Sequence, residues 1–299
     1  MQKTPRLLSS LAIKMRIAIT GARGTVGKQV VHLCASRGHS TVQIDRTHED
    51  RDTTTPNTEM RTADAANDYD ALLQAFKGCD AVIHLAAIPN PVDKDDHLVH
   101  SNNVCAAFNG MRAAAELGIK KFCYASSVNA IGLVYSNQPL SFEYFPVDEE
   151  ISQDPTDAYA LAKQEAEVQA RSIAKWFPGM KIACLRIHQV APKKDVEKDY
   201  EESNETAVKQ LWGWVHPQAT ARACLAAVEN SDRFEGAEVF NVVSPERCVV
   251  GEDKKLSNEE LVKKYWPGTK IKGDISGEKG FWSVDKIERV LGWKHEERE

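Results

Sequence analysis

The chain has 299 residues, 42% hydrophobic and 27% charged, with a formal net charge of -5 at pH 7 and a pI near 6.0. That is the balance of a soluble globular protein with one large or two intermediate domains. It is not basic enough for a phosphate-backbone partner, and no apolar run approaches the roughly 18 residues of a membrane span, so neither nucleic acid nor a membrane is expected as a partner.

The first 14 residues, MQKTPRLLSSLAIK, are basic, leucine-containing and free of acids. A mitochondrial targeting peptide, a disordered extension and an upstream start codon all remain open. The fold is expected to begin at Met15. Residues 15–20 are a short apolar run ending in a glycine-rich turn, the mark of a buried strand. A helical pattern follows through Val26, Val30 and Leu33 and stops near Gly38. Strands are expected at 41–45 and 60–64, separated by a polar loop, then a helix from Tyr69 to Phe76 and a fourth strand at 79–87. A long helix should span 96–117, with a fifth strand at 120–127 and a polar loop at 132–154. Asp154 and Pro155 look like the N-cap and first position of the next helix, which precedes a sixth strand at 180–187. The charged stretch 193–210 reads as an exposed loop. Beyond it, helices are expected at 217–229, 257–265 and 283–293, and a strand at 237–243 that returns to the sheet. Strands alternating with helices imply an α/β, doubly wound parallel sheet of Rossmann type, residues 15–187, with a smaller C-terminal substrate lobe, residues 188–299.

Seven cysteines, Cys34, Cys79, Cys105, Cys123, Cys184, Cys224 and Cys248, form no CxxC pair. They read as reduced core residues of a reducing compartment, which suggests the cytoplasm, and no zinc-like spacing predicts a metal.

Gly21, Gly24 and Gly27 stand in a GxxGxxG turn between a strand and a helix, with Thr25 and Val26 opening the helix. Such glycines let a backbone approach a pyrophosphate, which the helix N-terminus holds. Asp45 ends the second strand, where a carboxylate would bind the adenosine ribose and repel a 2′-phosphate, which favours NAD over NADP. Arg46 and Arg23 stand nearby and could pair with a phosphate instead. Asp64 is either an adenine contact or a turn residue.

GxxGxxG, then HLAA at 84–87, YASS at 124–127 and YxxxK at 159–163, in this order, resemble the extended short-chain dehydrogenase/reductases, in the NAD-dependent epimerase/dehydratase group. The resemblance implies that Tyr159 is the general acid/base and that Lys163 lowers its pKa and binds the nicotinamide ribose. It implies that Ser127 steadies the reacting oxygen and that Leu85, Ala86, Ala87 and Asn103 border the cofactor. It also implies a homodimer through the helix carrying YxxxK and the long helix before the fifth strand, with Ala106, Ala107, Met111 and Ala115 as interface or core positions.

The segment SSVNAIG at 126–132 and the stretch from Lys209 to Ala223 are similar to uronate dehydrogenases. Val128 and Asn129 stand where those enzymes have Asn and His, and Lys209 where they have the arginine that clamps a sugar carboxylate. A lysine neutralises a carboxylate without forking around it. Asn90, Ser127, Val128, Asn129, His188 and Lys209 are the candidate substrate contacts, although a packed histidine is the simpler reading of His188. Core packing is likewise the simpler reading of Trp212 and Trp214. The expected activity is NAD-dependent oxidation or reduction of a sugar, a sugar acid or a similar small compound. A nucleotide-sugar epimerase or dehydratase is the alternative, and a non-catalytic dinucleotide sensor a third reading.

Overall fold

The computed structural model describes residues 14–47 and 55–296, so nearly all of the expected N-terminal extension lies outside the described residues. Strand β1 (Arg16–Thr20) is followed by α1 (Thr25–Ser36), β2 (Ser40–Asp45), β3 (Thr58–Thr62), α2 (Tyr69–Phe76), β4 (Ala81–His84), α3 (Asp96–Glu116) and β5 (Lys121–Ser127). Next come β6 (Tyr144–Phe145), α4 (Ala158–Trp176), β7 (Lys181–Ile187), α5 (Lys193–Glu202), α6 (Asn204–Lys209) and α7 (Pro217–Glu229). The chain closes with β8 (Ala237–Val242), α8 (Asn258–Tyr265), β9 (Lys270–Ile271) and α9 (Asp285–Leu291).

Seven strands pair in the order β3-β2-β1-β4-β5-β7-β8, every pair parallel. Parallel sheets are covered on both faces, which is why these strands are apolar along their length. Alternate residues separate the faces. Ile17, Ile19, Ile83 and Cys123 share one core with Val30 and Val31 of α1 and Cys224 of α7. Ala18, Val82, Phe122 and Tyr124 share the other with residues of α2, α3 and α4. From β1 the chain goes outward to β2 and β3, then returns to β4 on the opposite side. A ligand crevice forms outside the strand carboxyl ends at such a switch point.

Several expected elements differ in the structure. The fourth strand stops at His84, the last residue paired with β1: the Leu85 N–H is shared between the Thr20 carbonyl at 3.2 Å and the Thr20 hydroxyl at 3.1 Å, and the Ala86 N–H goes to that hydroxyl at 3.2 Å. The cap of α4 is Asp157, which accepts from the Ala160 N–H at 2.8 Å, and Asp154 and Pro155 lie in the irregular segment before it. The expected loop 132–154 contains β6, which pairs with β9. The expected loop 193–210 is helical: Val196 and Tyr200 of α5, one turn apart, are buried, and Ser203 caps α6. Its charges face outward and conceal that short apolar stripe. Strand β8 does return to the sheet beside β7.

Phe142, Phe145, Trp212, Trp266 and Phe281 form an aromatic cluster with neighbouring ring centroids 5.2 to 6.2 Å apart. Trp212 and Trp214 are both core residues. Six cysteines are buried, while Cys105 is exposed on α3. Among the described residues no helix is long and apolar enough to cross a membrane.

Candidate active site

A cleft of about 1150 Å³ runs along the carboxyl ends of β1, β2, β4, β5 and β7. At one end lies the glycine turn. Gly21 has φ +65°, and a Cβ there would come within 3.0 Å of the Leu85 and Ala86 backbone. A Cβ on Gly27 would collide with the Gly21 carbonyl. The turn therefore needs glycine both for its conformation and for the close approach of α1 to β1. Gly24 caps α1 with no side-chain bond, and the first turn carries no acid. Its N–H groups and dipole suit a pyrophosphate, and Thr25 and Val26 line the same wall. These residues fit a dinucleotide.

Asp45 and Arg46 line the far end beside this turn. The Asp45 carboxylate accepts from the Arg23 N–H at 3.2 Å and the Arg46 N–H at 2.9 Å, so backbone fixes its direction. Asp64 also lines the cleft and shapes a turn, accepting from the N–H groups of Ala66 and Asn67. Burial acts to raise its pKa. Hydrogen bonds from Asn67 and Ala66, with the Arg46 charge, outweigh that effect and hold the carboxyl below its usual range.

Leu85, Ala86 and Ala87 line the cleft. Thr20 holds their strand end by accepting two N–H groups, which leaves its own proton for His84 Nδ1 at 3.0 Å. Burial, reinforced by the Lys163 charge, pushes His84 down to about 3. Asn103 does not line the cleft. Its amide oxygen accepts from the Ile88 N–H at 2.8 Å and its amide nitrogen donates to the Ile88 carbonyl at 2.9 Å. It therefore positions the loop after β4, while its neighbour Asn102 reaches the cleft.

Ser127, Tyr159 and Lys163 line the middle of the cleft. Ser127 ends β5, and its hydroxyl accepts from the Asn129 N–H at 3.1 Å. Lys163 is buried. Its Nζ donates to the Ala125 carbonyl at 2.6 Å and lies 5.6 Å from the Tyr159 ring centroid. Burial pushes Lys163 down to about 8, and the carboxylate of Glu167 favours its charged form. Burial likewise pushes the Tyr159 hydroxyl above its usual value, while its hydrogen bond with Ser127 acts in the opposite sense. The Lys163 amine, directed at the Ala125 carbonyl, does not offset that burial.

Three substrate candidates fall outside the cleft. Asn90 is tied up by the Val92 N–H and the Lys94 ammonium, at 3.2 and 2.9 Å. Val128 is a core residue. Lys209 points to Glu205, 2.9 Å away on its own helix. Leu211 and Trp212 both have positive φ, so the chain reverses there and the next residue, Gln210, reaches the cleft instead. Asn129 and His188 do line it. His188 Nδ1 accepts from the Gln189 N–H at 2.7 Å and Nε2 donates to the Gln210 carbonyl at 3.0 Å, and burial holds the ring down to about 4. It is a neutral clasp between two segments.

Tyr135, Gln189, Asp199, Thr206 and Gln210 also line the cleft. None was singled out from the sequence, because three lie in the stretch read as an exposed loop. Behind the site, Glu167 continues the face of Tyr159 and Lys163 by one more turn. It pairs with Arg186 through two bonds, 3.0 and 2.9 Å, and accepts from Ser126 at 2.8 Å and Gln153 at 3.0 Å. Its spacing along the helix is the signal that could have revealed it.

A glycine turn at one end of a cleft and a serine–tyrosine–lysine group in its middle define a dinucleotide-dependent enzyme. Residues 17–242 match the model of the NAD dependent epimerase/dehydratase family, and the chain belongs to that family. It is thus an NAD-dependent enzyme of epimerase/dehydratase type. It is similar to L-arabinose 1-dehydrogenase (NAD(P)(+)) of Haloferax volcanii, 29% identical over 222 residues that cover 72% of this chain and 83% of that protein. It is also similar to GDP-mannose 3,5-epimerase 1 of Oryza sativa, 26% identical over 252 residues, 80% of this chain and 60% of that one. A solved structure of a mutated uronate dehydrogenase has a TM-score of 0.64 at 21% identity, covering 94% of this chain and 82% of that one, a likeness in fold.

Proposed function

We propose that the protein is an NAD-dependent dehydrogenase of a small sugar, sugar acid or similar hydroxy or carbonyl compound, with Tyr159 as its general acid/base. The observation that carries this reading is the shared cleft: Ser127, Tyr159 and Lys163 line the same wall system as the glycine turn and Asp45. In this reading residues 15–187 hold the cofactor and segments after 187 complete the substrate end. Bound NAD supplies a hydride acceptor at nicotinamide C4, with a positive ring that favours a nearby phenolate. Tyr159 takes the hydroxyl proton of the substrate, Ser127 donates to the same oxygen, and Lys163 holds positive charge behind the phenol. The Asp45 carboxylate repels a 2′-phosphate, so NAD is preferred to NADP.

The test is absorbance at the reduced-nicotinamide band on a panel of aldoses and uronic acids, with NAD and NADP in parallel. NADH formation with at least one member, at a higher kcat/KM for NAD than for NADP, is expected. The epimerase reading has the similarity to GDP-mannose 3,5-epimerase 1 in its favour. It would be supported by NAD that stays bound through purification together with interconversion of a nucleotide sugar. No turnover of any kind would remove both.

The same reading includes a homodimer. Ala106, Ala107 and Met111 are buried inside the protomer, so core packing accounts for them. The exposed apolar side chains of the paired helices are Leu98 and Phe108 on α3 and Leu161, Val168 and Trp176 on α4. Val168, 49% exposed, is the natural place for a charge. Val168→Glu is expected to turn a dimer into a monomer in sedimentation velocity, with the helical circular dichroism unchanged. A wild-type protein that sediments as a monomer would end this part of the reading.

A further inference from the structure

Beyond Ser127 one wall of the cleft is formed by the segment that follows β7. Gln189 donates through Nε2 to the Asp199 carboxylate at 2.8 Å, and that carboxylate stands exposed at the mouth. Deeper in, Gln210 is 9% exposed, and its side-chain oxygen is buried with no hydrogen-bond partner. A buried carbonyl-type oxygen without a partner is costly, and because Gln210 lines the cleft, a rotation of its amide would turn that oxygen to a donor bound there. Thr206 lines the same region. Its hydroxyl accepts from Ser203 at 2.9 Å, which leaves its own proton to donate.

The cationic side chains lining the cleft are Arg23 and Arg46 at the adenosine end and Lys163 in the middle. Lys209, the residue positioned by sequence to meet an anion, is paired with Glu205 away from the cleft. The formal charge contributed at the substrate end, among the described residues, is the negative one of Asp199. A carboxylate or phosphate placed there would face like charge at its entry and find no guanidinium or ammonium to compensate its desolvation. A polyol meets the opposite conditions, because each hydroxyl both donates and accepts.

We propose that this end of the cleft selects an uncharged, hydroxyl-rich sugar over sugar acids and sugar phosphates, with Asp199 and Gln210 as the residues that determine the choice. The proposal rests on the dehydrogenase reading above and narrows its substrate class. Hydroxyl protons of the sugar go to the Asp199 carboxylate and the Gln210 oxygen, and the Thr206 proton goes to a hydroxyl oxygen.

Two measurements on the full chain test this. The first is kcat/KM for NAD reduction with neutral pentoses and hexoses against uronic acids and aldose phosphates. A neutral sugar should exceed the uronic acid of the same configuration by at least about tenfold, equivalent to about 1.4 kcal/mol. Asp199→Asn should narrow that ratio and Asp199→Arg should invert it, with the Kd for NAD unchanged in both. The second is calorimetric binding of the same sugars to NADH-saturated protein, which needs no turnover. Tighter binding of the neutral sugar, lost in Gln210→Leu, upholds the selectivity even if no substrate is oxidised, in which case it is the dehydrogenase reading that fails. A wild-type preference for uronic acids or phosphates in either measurement, binding of no sugar at all, or a ratio indifferent to Asp199→Asn overturns the proposal.

Discussion

Tyr159→Phe is expected to lower kcat for NAD reduction by about 10²- to 10⁴-fold, the span general acid/base catalysis commonly contributes, with the Kd for NAD held within a factor of about two. The substitution removes one oxygen and keeps the ring. The ring's edge contact with Tyr135, centroids 5.8 Å apart, and the Lys163 amine 5.6 Å from its centre both survive. Fold and cofactor site therefore stay intact while the proposed proton acceptor is lost. Burial holds the Tyr159 hydroxyl above its usual pKa. Below the alkaline limb that Lys163 sets, oxidation should accordingly speed up as pH rises in the wild type and lose that dependence in the variant. Pre-steady-state absorbance with a saturating sugar reads both. A variant within a factor of about three of wild type would remove Tyr159 from the chemistry.

Glu167→Ala is expected to lower folding stability by about 3–5 kcal/mol, the cost of leaving one member of a buried ion pair alone. Arg186 is 2% exposed and Glu167 is fully buried, so water cannot replace the lost partner. All four bonds to the carboxylate, from Arg186 twice, Ser126 and Gln153, would go at once. A urea midpoint unchanged from wild type would contradict this. Glu167→Gln keeps an acceptor and is expected to fold. It removes the negative charge that favours protonated Lys163, which already sits down at about 8. Lys163 would then lose its proton at lower pH, and the alkaline limb of the pH–rate profile should move in that direction. A purely structural role for Glu167 would leave that limb in place.

Local signals were the ones legible in the sequence. The glycine turn, the strand ends at Asp45 and Ser127 and the Tyr159–Lys163 pair each depend on neighbours within a few residues, and the fold sets all of them along one cleft. Glu167 follows the same helical spacing and was equally legible. Its partners Ser126, Gln153 and Arg186 come from three separate segments, and only the tertiary structure unites them. The helix α5 was hidden because eight of its ten residues, KKDVEKDYEE, are charged, with Val196 and Tyr200 as its buried remainder. Lys209 and Gln210 show how fine the margin is. Adjacent helical residues point about 100° apart, so an error of one position at a helix end exchanges a cleft-lining amide for an outward lysine.

Strands β7 and β8 are immediate parallel neighbours, in register from Ile182 with Ala237 to Ile187 with Val242. The segment that carries Gln189, Asp199, Thr206 and Gln210 leaves the first of them and is back before the second begins. It is an excursion spliced into an ordinary strand–helix–strand crossover, of which α7 is the helix. Selection can rewrite such an excursion in length and composition without disturbing either ladder or the dinucleotide half of the cleft. The frame thus separates what must be kept from what is free to diverge, and rewriting that segment asks nothing of Tyr159 or of the glycine turn.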